Sequence, residues 1–146
     1  MHETSGCRYE KIDRQFSVEE LAAFHGHLGP YLVIGYRMGR YAKNYFCGDP
    51  WRLKCTVYCS GTPPESCLAD GIQAGSGCTL GKRNIEIATD GEVRCVFEFG
   101  EKQMALRPKP FELPKHRNHH YEEIVEGIAE DMYAMRDDEL FSVSSR

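Results

Sequence analysis

The sequence predicts an α+β domain, with helices packed against an antiparallel sheet. Residues 17–46 carry helix start and stop signals, and 121–132 place apolar residues at helical spacing. Residues 51–59 alternate apolar and polar side chains, the period of a half-buried strand. Asp90-Gly91 separates the runs NIEIA and EVRCVFEF, the composition of a two-residue hairpin turn. No linker, internal repeat or low-complexity run divides the chain, so 1–146 reads as a single domain. At 146 residues with 41% hydrophobic composition it is long enough to bury one substantial core.

Ser17 and Glu20 form a capping box, and Phe16 and Leu21 fall at staple spacing, so a first helix begins at Val18 and ends near His25 or Gly26. Gly29 and Pro30 suit the cap and first turn of a second helix, which runs to Phe46 before Gly48 and Pro50 stop it. Gly35 and Gly39 lie on one face of that helix, where the missing side chains let another backbone come close. A helix or sheet from a second protomer is one candidate for the neighbour. The strand at 51–59 sets Trp51, Leu53, Cys55, Val57 and Cys59 on one side against Arg52, Lys54, Thr56 and Tyr58, with its cysteines toward the core. A brief helix follows from Glu65 to about Ala74, closed by Gly75, and then the loop SGCTLGKR. Asp90-Gly91 gives an antiparallel pair with Val93, Cys95, Phe97 and Phe99 on one face. RPKPFELPKHRNHH is a proline-rich connector to a last helix built on Tyr121, Ile124, Val125, Ile128, Ala129 and Met132.

Several classes of function drop out. Net charge is −4 and the 18 Lys and Arg are scattered, which disfavours nucleic acid as a partner. The longest apolar stretch, YLVIGY, is far short of the ~20 residues of a membrane span. The first residues lack the apolar run of a secretory signal, so a cytoplasmic location with reduced thiols is expected. Seven cysteines with no C-x-x-C argue against a disulfide framework or a zinc ribbon, and most read as small core residues. Cys55 and Cys59, on one strand, stand about 13 Å apart, too far to share an ion.

Three segments carry chemistry at the ends of elements. His25 and His27 sit at the joint of two helices, Cys67 with Asp70 and Gln73 begins a third, and Cys78 lies in a glycine-rich loop that ends in Lys82, Arg83 and Asn84. Imidazole and thiolate together ligate zinc or a related metal such as nickel or iron. Cys67 falls in the first turn of its helix, where the dipole favours an anion and lowers a thiol pKa. Asp70 can orient a histidine by accepting its second ring N–H. The loop is not a nucleotide-binding P-loop, because Arg83 takes the hydroxyl position after Lys82. Structural readings stand beside these. Histidines cap helix ends, Cys67 can be core, Asp70 and Gln73 can lie on a solvated helix face, and the loop can be a plain turn. His116, His119 and His120 read as solvated residues of the connector.

FHGHLGPYLVIGYRMG, CLADGIQAGSGCTLGKRNIEI and DDELFSV, in that order, resemble the E-subunit family of formylmethanofuran dehydrogenase from about Phe16 to Val143. The resemblance implies an α+β core, an intertwined homodimer, and a cavity around the histidine and cysteine motifs where a metal, zinc foremost, binds. It carries over His25, His27, Cys67 and Cys78 as metal ligands, Asp70 and Lys82 as acid-base or anion-stabilising groups, and Gln73, Thr79 and Asn84 as contacts to a bound ligand. Gly29 stands where the family commonly has a cysteine, and Tyr31 where it has a glycine. Relatives often add a C-terminal zinc-binding module, so the chain is expected to be the core domain alone. Two functions follow as expectations. One is a metal-dependent enzyme or accessory protein linked to molybdenum or tungsten formylmethanofuran dehydrogenase. The other is a noncatalytic dimeric carrier or assembly factor for a small cofactor such as a pterin.

Overall fold

Ser17 starts the first helix as its capping box requires. In the computed structural model, which describes residues 8, 9 and 12–145, Ser17 Oγ accepts the Glu20 N–H and Glu20 Oε1 accepts the Ser17 N–H. Helix α1 spans Val18–His25 and ends at Gly26, whose φ of 93° suits a residue without a Cβ. Gly29 and Pro30 then open α2, Pro30–Tyr45, with Phe46 as its C-cap. Strand β1 (Lys54–Tyr58), helix α3 (Cys67–Ser76) and strand β2 (Ile85–Ala88) follow, and β1 and β2 are parallel. The helical crossover between them is what makes a parallel pair possible. Strands β3 (Arg94–Phe99) and β4 (Lys102–Pro108) form a hairpin. Helix α4 (Tyr121–Tyr133), the short α5 (Asp137–Leu140) and strand β5 (Phe141–Ser145) complete the chain.

The five strands lie in the order β2-β1-β3-β4-β5, and every neighbouring pair but β1–β2 is antiparallel. One face buries Cys55, Val57, Cys95, Phe97, Met104 and Leu106 in a core shared with α2 and α3. The opposite face, with Thr56, Arg94, Val96, Glu98 and Arg107, is only partly covered. The result is a two-layer α+β domain.

Two expectations about strands are corrected. The Asp90-Gly91 turn does not join a hairpin, because β1 lies between β2 and β3 and pairs with both. β1 buries Cys55 and Val57 and belongs at the centre, whereas the four-residue β2 buries no side chain fully and leaves Ile87 exposed at the edge. The hairpin forms instead at Gly100, φ 61°, between β3 and β4. Trp51, at the start of the alternating run, is exposed and precedes β1.

The close backbone approach at Gly35 and Gly39 is made within the chain. A Cβ on Gly35 would stand 2.2 Å from Leu68 O, and one on Gly39 would stand 2.9 Å from Ser76 N, both in α3. α3 replies with Gly71, whose Cβ would fall 2.1 Å from Leu32 O, and Gly75, whose Cβ would fall 2.3 Å from Tyr36 O. Gly75 therefore belongs to this seam, and Gly77, φ 82°, caps α3 two residues later than the sequence suggests.

The seam aligns α2 and α3 in the same direction, since early residues of one meet early residues of the other. α4 runs the same way: Val125 packs near Gly29, and Arg37 donates to Met132 O and Tyr133 O at the far end. All three helices consequently start at one end of the domain.

Candidate functional site

The cavity at that end has a volume of about 180 Å³. The α1–α2 joint supplies His25, His27 and Gly29, α2 supplies Pro30, Tyr31 and Leu32, and α3 supplies Cys67. The remaining wall comes from Pro63 and Pro64, from Leu113 and Arg117 of the connector, and from Tyr121, Glu122 and Val125 of α4. A larger hollow of about 500 Å³ lies on the open face of the sheet, but no histidine or cysteine lines it. Chemistry, not size, singles out the smaller one.

Each histidine of the joint is held by a carboxylate. His25 Nδ1 lies 2.6 Å from Asp70 Oδ2, and His27 Nε2 lies 2.6 Å from Glu122 Oε2. A neutral imidazole that donates one ring N–H to a carboxylate keeps the other nitrogen as a lone-pair donor. For His25 that is Nε2, and for His27 it is Nδ1. The left-handed Gly26 turns the chain between them, so both rings reach the cavity from a single joint. A Cβ at Gly29 would lie 3.6 Å from His27 Nδ1, so a side chain at this position would stand directly beside that nitrogen.

Cys67 begins α3 and is half-buried, and the other described cysteines are buried. Its thiol pKa is pushed up, first by burial and then by the negative charge of Asp70. The lowering expected from the helix start is therefore corrected. The turn at 62–66 extends the hydrogen-bond ladder backwards, so the Cys67, Leu68 and Ala69 N–H groups already donate to Pro64 O, Glu65 O and Ser66 O. They are not free to stabilise a thiolate.

The structure brings His25, His27 and Cys67 to one cavity, with Asp70 behind His25. Cys78 stands apart. It is fully buried, donates from Sγ to Leu53 O at 3.4 Å, and burial raises its pKa. The loop around it is satisfied internally. Asn84 Oδ1 accepts the Thr79 N–H, Asn84 Nδ2 donates to Pro50 O and Leu53 O, and Lys82 Nζ donates to Thr79 Oγ1 and Gly77 O. Burial pulls the Lys82 ammonium below the usual lysine value. Gln73 bridges the two regions, accepting the Leu80 N–H and donating to Asp70 Oδ1. None of Gln73, Cys78, Thr79, Lys82 and Asn84 lines the cavity. Among the described residues, no three His, Cys, Asp or Glu side chains stand together as a formed metal cluster. His116, His119 and His120 are exposed, as expected of the connector.

The sequence reading missed Glu122 and Arg117. Both lie in or beside the stretch HRNHHYEE, which reads as an exposed connector running into a helix, and its density of charged groups beside prolines was the signal available. No described helix is long and apolar enough to cross a membrane. A family model described as "FmdE, Molybdenum formylmethanofuran dehydrogenase operon" matches residues 24–142, most of the chain and all of the histidine and cysteine motifs. No curated protein matches the chain.

Proposed function

The chain belongs to this FmdE family, linked to the molybdenum formylmethanofuran dehydrogenase operon, and we propose that it binds a transition metal, zinc foremost, through His25, His27 and Cys67. One observation carries the reading: both histidines rest one ring nitrogen on a carboxylate and keep the other free. Metal-ligating histidines almost always have such a partner, which fixes the tautomer and raises ligand basicity. Two imidazoles and a thiol suit zinc, and nickel or iron compete for the same donors.

Holding an ion there would require His25, His27 and Cys67 to draw together, with the Cys67 proton released to water. Three protein ligands leave a coordination position open, the pattern of catalytic rather than structural zinc sites. A metal held by His25, His27 and Cys67 would supply Lewis acidity. Asp70 and Glu122 act through the histidines they hold. Cys78 serves the core, and Lys82 braces its loop. An enzyme or accessory protein of formylmethanofuran dehydrogenase fits this arrangement. A carrier of a pterin asks for more room, because organic-ligand pockets usually occupy about 300–1,000 Å³ and this cavity about 180 Å³.

Metal analysis of protein purified without added metal tests the proposal. Near-stoichiometric metal is expected, with His25→Ala and Cys67→Ser each losing most of it. Metal content that both substitutions leave unchanged refutes it.

A further inference from the structure

We propose that the cavity binds a small organic carboxylate, its anionic end on Arg117 and its apolar body against Leu32, Leu113 and Val125. The inference rests on the reading of this cavity as the ligand site and names the class of ligand. It starts from a guanidinium with spare donors. Arg117 lines the cavity, and its Cζ lies 4.5 Å from the centre of the Tyr121 ring. Among the described residues it makes no hydrogen bond or ion pair. Glu122, the nearest carboxylate in the lining by sequence, is engaged by His27. A planar guanidinium whose donors are unused, held over an aromatic ring, is arranged to take a carboxylate through two parallel N–H bonds.

The surroundings favour the same charge. The chain as a whole carries −4, yet beyond Arg107, which pairs with Glu92 on the open face of the sheet, the connector holds Lys109, Lys115 and Arg117 against Glu112. Prolines 108, 110 and 114 restrict the backbone of this segment, which limits the ordering needed when a ligand arrives. An anion approaching Arg117 therefore meets a basic stretch of the connector, while Glu122 of the same wall is tied to His27.

The rest of the wall sets the body of the ligand. Leu32 and Val125 are buried, and Leu113 and the two prolines at 63 and 64 add further apolar surface. An apolar cavity of about 150 Å³ accommodates benzene, so about 180 Å³ suits a single ring or a short branched chain. With the carboxylate on Arg117 at the exposed mouth, the body extends toward His25 and Cys67. Those residues are then free to act on the ligand or to hold a metal beside it.

Titration calorimetry with benzoate, benzyl alcohol and inorganic phosphate tests the proposal, on the full chain and on Arg117→Gln. Arg117 is exposed, so the variant keeps its fold, and matching far-ultraviolet circular dichroism verifies that. Benzoate is expected to bind saturably. Benzyl alcohol and phosphate are each expected to be at least about tenfold weaker, the scale of a hydrogen bond to a charged group. Arg117→Gln should weaken benzoate by a similar factor and leave benzyl alcohol unchanged. Equal binding of benzoate and benzyl alcohol overturns the role of charge, and equal binding of benzoate and phosphate overturns the apolar wall.

Repeating the titration after metal removal with a chelator separates this proposal from the metal site. Benzoate binding that survives chelation and still depends on Arg117 supports the carboxylate site even if the metal reading fails. Binding that disappears with the metal and ignores Arg117→Gln places the anion on the metal and overturns the proposal.

Discussion

Asp70 shows how one side chain couples the helices to the site. It stands one turn into α3, accepts from Gln73, and holds His25 Nδ1, at the end of α1, at 2.6 Å. Its carboxylate also raises the Cys67 pKa, so it hinders the thiolate while it orients the imidazole. If metal binds here, orientation dominates, because a cation at the centre reverses the sign of the local charge balance. Asp70→Asn is therefore expected to weaken zinc binding by about 10–100-fold, the usual effect of losing a carboxylate behind a histidine ligand. Competition with a chelating dye measures this, and unchanged affinity removes Asp70 from the site. At this scale the meeting of His25, His27 and Cys67 at one cavity was legible in the sequence, because each lies at the end of a helix, with Asp70 one turn further into α3. Cys78 was misgrouped, since a cysteine in a glycine-rich loop and a cysteine packed under a strand look alike without coordinates. Glu122 and Arg117 were illegible for the opposite reason: a proline-rich, charged stretch reads as solvent-exposed, and only the fold lays it across the cavity.

The α2–α3 seam sets which element ends meet. Gly71→Ala would drive a methyl group to within 2.1 Å of Leu32 O, a backbone atom that cannot turn aside. Overpacking of this kind costs about 1–3 kcal/mol, occasionally more, and the backbone contact places this case at the upper end. Gly127→Ala, in α4, meets nothing within 4 Å. There the same substitution should stabilise by about 0.4–1 kcal/mol through helix propensity and a less flexible unfolded chain. Urea unfolding of the two variants should thus shift in opposite directions, and a destabilised Gly127→Ala or a neutral Gly71→Ala contradicts the packing described. The helices themselves were legible from the capping box and from Gly29-Pro30. The partner of the glycine face was not, because small-residue spacing records that a backbone comes close without recording whose.

At the scale of the whole molecule, the chain ahead of α1 is strapped across the helical layer. Arg40 grips Asp13 with both terminal nitrogens, Tyr36 Oη accepts the Phe16 N–H, and Tyr133 donates to Phe16 O. The Arg40 hydrogen bond, aided by the charges of Arg40 and Lys43 and opposed by slight burial, lowers the Asp13 pKa below 3.8. A lowered carboxyl pKa gives stability that is present above the unfolded value and lost as pH falls through the folded one. Asp13→Asn is expected to cost about 0.2–1 kcal/mol at pH 7, the range of exposed ion pairs. The gap to the unsubstituted protein should close as pH drops below about 3.8, and an unchanged gap in acid refutes the strap. The α+β class was legible from the mixture of periods, but strand order was not, because Asp90-Gly91 marks a turn without saying which strands it separates. The central claim is that this fold gathers two imidazoles and one thiol onto a metal. Zinc-edge X-ray absorption of the loaded protein tests it most directly. The account predicts one sulfur at about 2.3 Å and two nitrogens at about 2.0–2.1 Å, with the sulfur lost in Cys67→Ser. A sulfur shell that survives Cys67→Ser, or a shell of nitrogen and oxygen alone, contradicts it.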